Sequence, residues 1–181
     1  MRTVKLTQPD AWRQMPPIGR LRVWITDRGS LTARIVNHFA DFNLQRLRQT
    51  RAQPLADECR ALSVRRAERV VLREVLLRDA YRALVFAHTV AHPHDLRGAW
   101  RGLSRLGARP LAEMLFHDPT VSRMPMEYRR IDARHRLCQL ACNAAGIAVQ
   151  PLWARRSVFL RYGRPLLVTE VFLPDLINAM R

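Results

Sequence analysis

Two charged side chains stand in the middle of apolar stretches, and they carry the first chemical reading. Arg73 lies in Arg69-Val-Val-Leu-Arg-Glu-Val-Leu-Leu-Arg78, where a strand would put Val71 and Val75 on its own face. Glu170 lies in Leu166-Leu-Val-Thr-Glu-Val-Phe-Leu173, sharing a face with Val168 and Phe172. A guanidinium stays charged at any working pH, so in an apolar strand it needs an anion. Either Glu170 faces water at a strand edge, or, because an unpaired buried carboxylate would cost several kcal/mol, it is paired, ligand-facing or neutralised; we take the second reading. For Arg73 the choice is between a structural ion pair and a bidentate clamp on a ligand carboxylate. Both residues can serve one small molecule by binding its opposite ends.

Two other clusters invite a metal reading. His88, His92 and His94 crowd together, with His88 and His92 on one face of a strand, but Pro93 breaks that strand and no carboxylate or cysteine is fixed nearby. His135, Cys138 and Cys142 have helical spacing, yet one helix rarely supplies a closed site, so buried thiols are the expected state. No metal site is assigned. No glycine-rich phosphate loop is present, and Ser157 has no histidine in its local sequence to activate it.

The elements that must position Arg73 and Glu170 follow from pattern. Ser30 caps a helix with Leu31, Ile35 and Phe39 inward. Phe42 to Leu47 alternates weakly as a first strand, Gln49 to Leu55 reads as a loop, and Ala56 to Leu62 as a short helix. The Arg73 strand turns at Asp79 to Arg82 and returns as Ala83 to Val90, its antiparallel partner. Asp95 caps a helix carrying Leu96, Trp100, Leu103 and Leu106, with Gly107 ending it, and Pro110 starts another through Phe116. Val121 to Ile131 is a strand that Pro125 confines to an edge or a bulge. A helix from Asp132 to Gly146 precedes a final hairpin turning at Gly163-Arg164. Short turns between consecutive strands predict an α+β fold with a single antiparallel sheet of about six strands. Residues 1–20 read as irregular.

A chain of 181 residues with 48% hydrophobic content suits one globular domain, 1–181, with a sizeable core. No apolar run reaches the ~20 residues of a membrane span, and the N-terminus lacks a signal peptide's apolar core. A cytoplasmic protein is expected, and the odd count of three cysteines agrees with reduced thiols. The formal charge of +16 raises a nucleic-acid reading. Yet 30 of the 31 basic residues are arginines, they are dispersed, and no nucleic-acid-binding motif accompanies them. No specific nucleic-acid partner is expected; the positive potential can instead steer a small dianion into a cleft.

Leu152-Trp-Ala-Arg-Arg-Ser, followed by Gly163-Arg-Pro-Leu-Leu-Val-Thr-Glu-Val-Phe-Leu-Pro174, resembles the C-terminal signature of the chorismate lyase family. Val71-Leu-Arg-Glu-Val-Leu-Leu77 is similar to that family's strand whose arginine binds the ring carboxylate, which gives Arg73 that role. Leu106-Gly-Ala-Arg-Pro-Leu-Ala-Glu-Met-Leu-Phe116 resembles its Leu-Gly-x-x-Pro-Leu-Gly-x-x-Leu-Phe segment, with ligand contact at Leu111. Gly29-Ser-Leu-Thr-Ala-Arg34 resembles Ser-Met-Thr-x-Arg and puts Leu31 at a ligand-contacting position. Glu170 matches the acid that hydrogen-bonds the hydroxyl across the ring. These segments run in the family's order from about residue 24 to 175. Two departures stand out: residues 132–150 exceed the family's link and read as a helical insertion, and His88 stands where the family has a second active-site arginine.

The resemblance implies a cofactor-free lyase that eliminates pyruvate from chorismate to give 4-hydroxybenzoate for ubiquinone. It also implies a monomer whose helices cover one side of the sheet and flank a buried pocket. Arg73, Glu170 and His88 are then the expected catalytic residues, with Leu31 and Leu111 as pocket walls. His88 is expected to be protonated when substrate binds. The other reading is a relative with weakened catalysis that holds a small aromatic acid.

Overall fold

The computed structural model describes residues 12, 13, 16 and 19–179, so most of the irregular segment expected over 1–20 lies outside the described residues. Seven antiparallel strands form one sheet: β1 (Phe42–Ala52), β2 (Val70–Asp79), β3 (Arg82–Ala91), β4 (Val121–Arg123), β5 (Glu127–Ile131), β6 (Leu152–Arg161) and β7 (Arg164–Phe172). Their order is β1-β2-β3-β7-β6-β4, and β5 also pairs with β6. The α+β class with one antiparallel sheet holds, with seven strands where about six were expected.

The core strands are buried on both faces, which is why β2, β3 and β7 read as nearly continuous apolar runs. On one face lie α1 (Leu21–Ile25), α2 (Leu31–His38), α4 (Ala112–Phe116) and α6 (Pro174–Ala179), packed with Val75, Leu77, Phe159, Leu166 and Phe172. Ser30 caps α2 by accepting from the Ala33 amide. The opposite face is covered as well, by α3 (Ala56–Leu62) and α5 (Arg136–Ala145) against Leu72, Leu76, Phe86, Val90 and Val171. The wall expected over one side is therefore joined by a second.

Several boundaries differ from the sequence reading. Pairing with β2, with one register shift between Arg46 and Arg48, carries β1 through residues read as a loop, from Phe42↔Asp79 to Ala52↔Val70. The stretch after Asp95 forms two 3₁₀ turns, Asp95–Arg97 and Arg101–Arg105, in place of one α-helix. Gly98 leaves helical space between them (φ −122°, ψ −110°), and the indole of buried Trp100 is tied to the Arg164 carbonyl at 3.0 Å. The 121–131 strand is interrupted at Pro125, leaving β4 and β5 as separate partners of β6. α5 begins at Arg136, where the His135 ring accepts from the Leu137 amide. The β6–β7 turn is Tyr162-Gly163, both left-handed (φ 51° and 71°), as a tight hairpin requires.

Candidate active site

Register decides which side chains share a face. Arg73 stands opposite Thr89, which stands opposite Val168, which stands opposite Ser157. Two residues along, Val75, Ala87, Glu170 and Arg155 form the next row on that face. Arg73 and Glu170 are thus two strands apart and two residues out of step. At ~4.8 Å per strand and ~3.4 Å per residue, their Cα atoms are about 12 Å apart. That spacing leaves room for one ring with a polar group at each end.

The two side chains line one narrow slot of about 50 Å³ between the sheet and helices α2 and α4. Leu31, Leu44, Val75, Leu111, Leu115 and Phe159 are among its apolar walls. Sites for small molecules usually run to ~300–1,000 Å³, so α2 and α4, which touch one another, must yield for a ring to enter. The structure therefore brings Arg73, Glu170, Leu31 and Leu111 to a single cavity.

Arg73 is only 2% exposed, and among the described residues no carboxylate lies within ion-pair distance of it. Its Nη2 donates to the carbonyls of Gly107 (3.1 Å) and Arg109 (3.0 Å), which anchors the loop leading to Leu111. Its Nε is buried without a partner. Burial, helped by the charge of Arg46, lowers its pKa to about 10. Two neutral carbonyls leave the charge uncompensated, so clasping the loop does not explain this residue by itself. An incoming carboxylate would supply both the missing acceptor and the missing charge.

At the other end Glu170 Oε2 accepts from Arg155 Nε at 2.5 Å. Arg155 is 1% exposed and its Nη1 donates to the carbonyls of Trp24, Ile25 and Asp27. One guanidinium thereby fixes the Glu170 carboxylate and the end of α1 together. Glu170 Oε1 makes no hydrogen bond with the described residues and is available to accept one from a ligand hydroxyl. Arg155 was missed among the many arginines: counting back from the observed Tyr162-Gly163 turn places it opposite Glu170, whereas a turn at Gly163-Arg164 would put Ser157 there. Arg123, on β4, also lines the slot and was missed for the same reason.

His88 requires a correction. It lies on the other face of the sheet, in the row formed by Glu74, Thr169 and Arg156, and does not line the slot. The alternation of β3 gives Ala87 and Thr89 to the slot and turns His88 under α3. There its Nδ1 lies 3.0 Å from Glu74 Oε1 and its Nε2 3.0 Å from Glu58 Oε1, the latter pair out of line for a hydrogen bond. Burial alone would lower its pKa, but the two carboxylates outweigh burial and raise it to about 9. Arg48 completes the cluster with two bonds to Glu74, at 2.5 and 2.9 Å. The pKa of Glu74 responds accordingly: burial would raise it, and the His88 and Arg48 hydrogen bonds hold it at about 2.

The other sequence candidates do not converge. His92 lies past the end of β3, 3.9 Å from Glu68, and His94 is 3.8 Å from Asp95. His135 Nε2 faces Asp57 at 3.4 Å, while the Cys138 thiol points at the Gln150 carbonyl. Among the described residues no group of three or more such side chains could hold a metal. A larger open groove of about 790 Å³ lies against Val158 and Leu160 on the far face. Its acids already have cations, Glu68 with Arg65, Asp95 with Arg164 and Glu127 with Arg156, so it lacks an uncompensated group like Arg73.

Known proteins bear on the chain as a whole. Residues 2–181 match the family described as Chorismate lyase. The chain belongs to the chorismate lyase family. Its relatives include a probable chorismate pyruvate-lyase of Thiobacillus denitrificans, 48% identical over 158 residues, covering 87% of this chain and 84% of that one. Another, from Nitrosomonas eutropha, is 41% identical over 174 residues and covers 94% and 97%. Among solved structures, the PhnF C-terminal domain is similar at a TM-score of 0.55 and 18% identity, covering 74% of this chain and 84% of that one. A GntR-family transcriptional regulator from Bacillus cereus gives 0.51 and 12%, covering 75% and 94%. At these identities the two structures speak for the fold alone. For a chorismate lyase family member, the slot between Arg73 and Glu170 is the natural candidate for the active site.

Proposed function

We propose that the slot binds chorismate and that the protein eliminates pyruvate from it, leaving 4-hydroxybenzoate. The observation that carries this reading is a buried arginine with no carboxylate partner among the described residues, facing across one slot a carboxylate that a second arginine holds in place. Chorismate offers a ring carboxylate for Arg73 and, across the ring, a hydroxyl for Glu170. Family membership and the named relatives support the same reading.

The chemistry asks little of the protein beyond position and charge. The bond from ring carbon 3 to the ether oxygen breaks with its electron pair going to oxygen, and ring carbon 4 gives up its proton. The new double bond completes the aromatic ring, and the enolpyruvate takes up a proton to become pyruvate. Aromatisation drives the step, so orientation and exclusion of water are the main contributions of the slot. Arg73 fixes the carboxylate end, Glu170 the hydroxyl end, and Leu31 and Leu111 press on the ring between them. A place at the start of the ubiquinone ring pathway, a cytoplasmic location and a monomeric state belong to this proposal. Incubating the purified protein with chorismate and coupling pyruvate to a dehydrogenase tests it. Steady pyruvate release competitively inhibited by 4-hydroxybenzoate is expected, and no release at high protein concentration would sink it.

A further inference from the structure

Arg123 is a third arginine on the slot, and neither Arg73's role nor Arg155's explains it. Its Nε donates to Ser157 Oγ at 3.0 Å, and its Nη1 reaches the Arg28 carbonyl between α1 and α2 at 2.8 Å. The guanidinium sits 5.1 Å from the Phe159 ring centre and 5.8 Å from that of Phe116. Among the described residues it has no carboxylate within ion-pair distance. Arg28 follows Asp27, whose carbonyl is held by the Arg155 that binds Glu170, so Arg123 stands at the Glu170 end; burial lowers its pKa.

Its place in the walls is unusual. Arg123 and Phe116 line the slot, and they also line two open hollows outside it, of about 660 and 370 Å³. The pair therefore separates the slot from solvent. Arg155 cannot take on another anion here, because its guanidinium is already shared between Glu170 and three carbonyls. Arg73 is occupied at the far end of the ring.

We propose that Arg123 receives the second carboxylate of the substrate, the one on the enolpyruvyl side chain. The inference rests on the lyase reading above. In chorismate that side chain is attached to the ring carbon next to the one bearing the hydroxyl. With the hydroxyl at Glu170, the second carboxylate falls at this end of the slot, where, among the described residues that line it, Arg123 is the cation not already paired with an acid. Arg123 gives up the Arg28 carbonyl for the carboxylate and faces the enolate as its charge develops. Once the ether bond is broken, 4-hydroxybenzoate has nothing left for Arg123 to hold, and pyruvate lies beside the wall that opens to the outer hollows. Arg123 thus distinguishes substrate from product.

The test compares two ligands with the same ring. The parent, Arg123→Gln and Arg123→Lys are titrated calorimetrically with 4-hydroxybenzoate and with the dicarboxylate 3-(carboxymethoxy)-4-hydroxybenzoate. Arg123→Gln should bind the monoacid within about threefold of the parent and the dicarboxylate at least about 30-fold more weakly, with partial recovery in Arg123→Lys. Parallel loss of both ligands would make Arg123 a structural strut, and undiminished dicarboxylate binding would also overturn the proposal, as would a parent that binds neither acid. The lyase reading fails separately, if the parent releases no pyruvate from chorismate; selective loss of the dicarboxylate would then still assign Arg123 as its receptor.

Discussion

Replacing His88 with glutamine should change how stability depends on pH without disturbing the slot. In the folded protein the His88 pKa is raised from 6.5 to about 9, despite complete burial, because Glu58 and Glu74 flank the ring. A shift of that size corresponds to about 3 kcal/mol of preference for the charged form in the folded state. Because the folded pKa is the higher one, this contribution is fully present below pH 6.5 and is lost as pH rises through about 9. Glu74 works in the other direction: its pKa falls from 4.5 to about 2, so its contribution is present above 4.5 and lost as pH falls through about 2. Between those windows, near pH 4.5–6.5, the cluster is at full strength. Urea unfolding of the parent and His88→Gln at pH 5.5, 7, 8.5 and 10 measures the gap between them. It should be about 3 kcal/mol at pH 5.5 and close to zero at pH 10. Turnover of the variant should stay near that of the parent at each pH, since the ring lies across the sheet from the slot. A stability gap that is constant with pH would refute the protonated cluster.

Other expectations follow from the slot. Arg73→Ala should weaken 4-hydroxybenzoate binding by about 2–5 kcal/mol, because the ligand carboxylate would be buried without its partner; calorimetry checks this. Glu170→Gln should lower kcat while circular dichroism remains that of the parent, and unchanged turnover would mean that the hydroxyl end has been misplaced. Exhaustive chelation should leave pyruvate release intact, because aromatisation drives the elimination; loss with EDTA and rescue by zinc would revive a metal role.

Much of the sheet was legible because burial on both faces leaves a plain mark. Long apolar runs identify β2, β3 and β7, and any charge inside them stands out, as Arg73 and Glu170 do. The same double burial hid His88: when both faces are apolar, alternation cannot say which is the slot. Only the register, with Thr89 opposite Arg73, assigns His88 to the other side. Arg155 and Arg156 show a second limit. Adjacent in sequence, they point to opposite faces, one to Glu170 and the other to Glu127 and the Asp57 carbonyl. In a chain with 30 arginines neither is conspicuous. The 95–106 stretch failed for a different reason. Its apolar spacing suits an α-helix, but Gly98 departs from helical space and the Trp100 indole bonds outward to the β6–β7 hairpin, leaving two short turns.

The most direct test of the central claim is a single-turnover experiment with protein in excess over chorismate, run on the parent and on Arg73→Ala with its fold verified. Both products are quantified from the same quenched samples. The parent should yield pyruvate and 4-hydroxybenzoate in equal amounts and consume the chorismate, while Arg73→Ala should do so far more slowly. Equal rates in the two proteins, or pyruvate appearing without 4-hydroxybenzoate, would contradict elimination in the slot between Arg73 and Glu170.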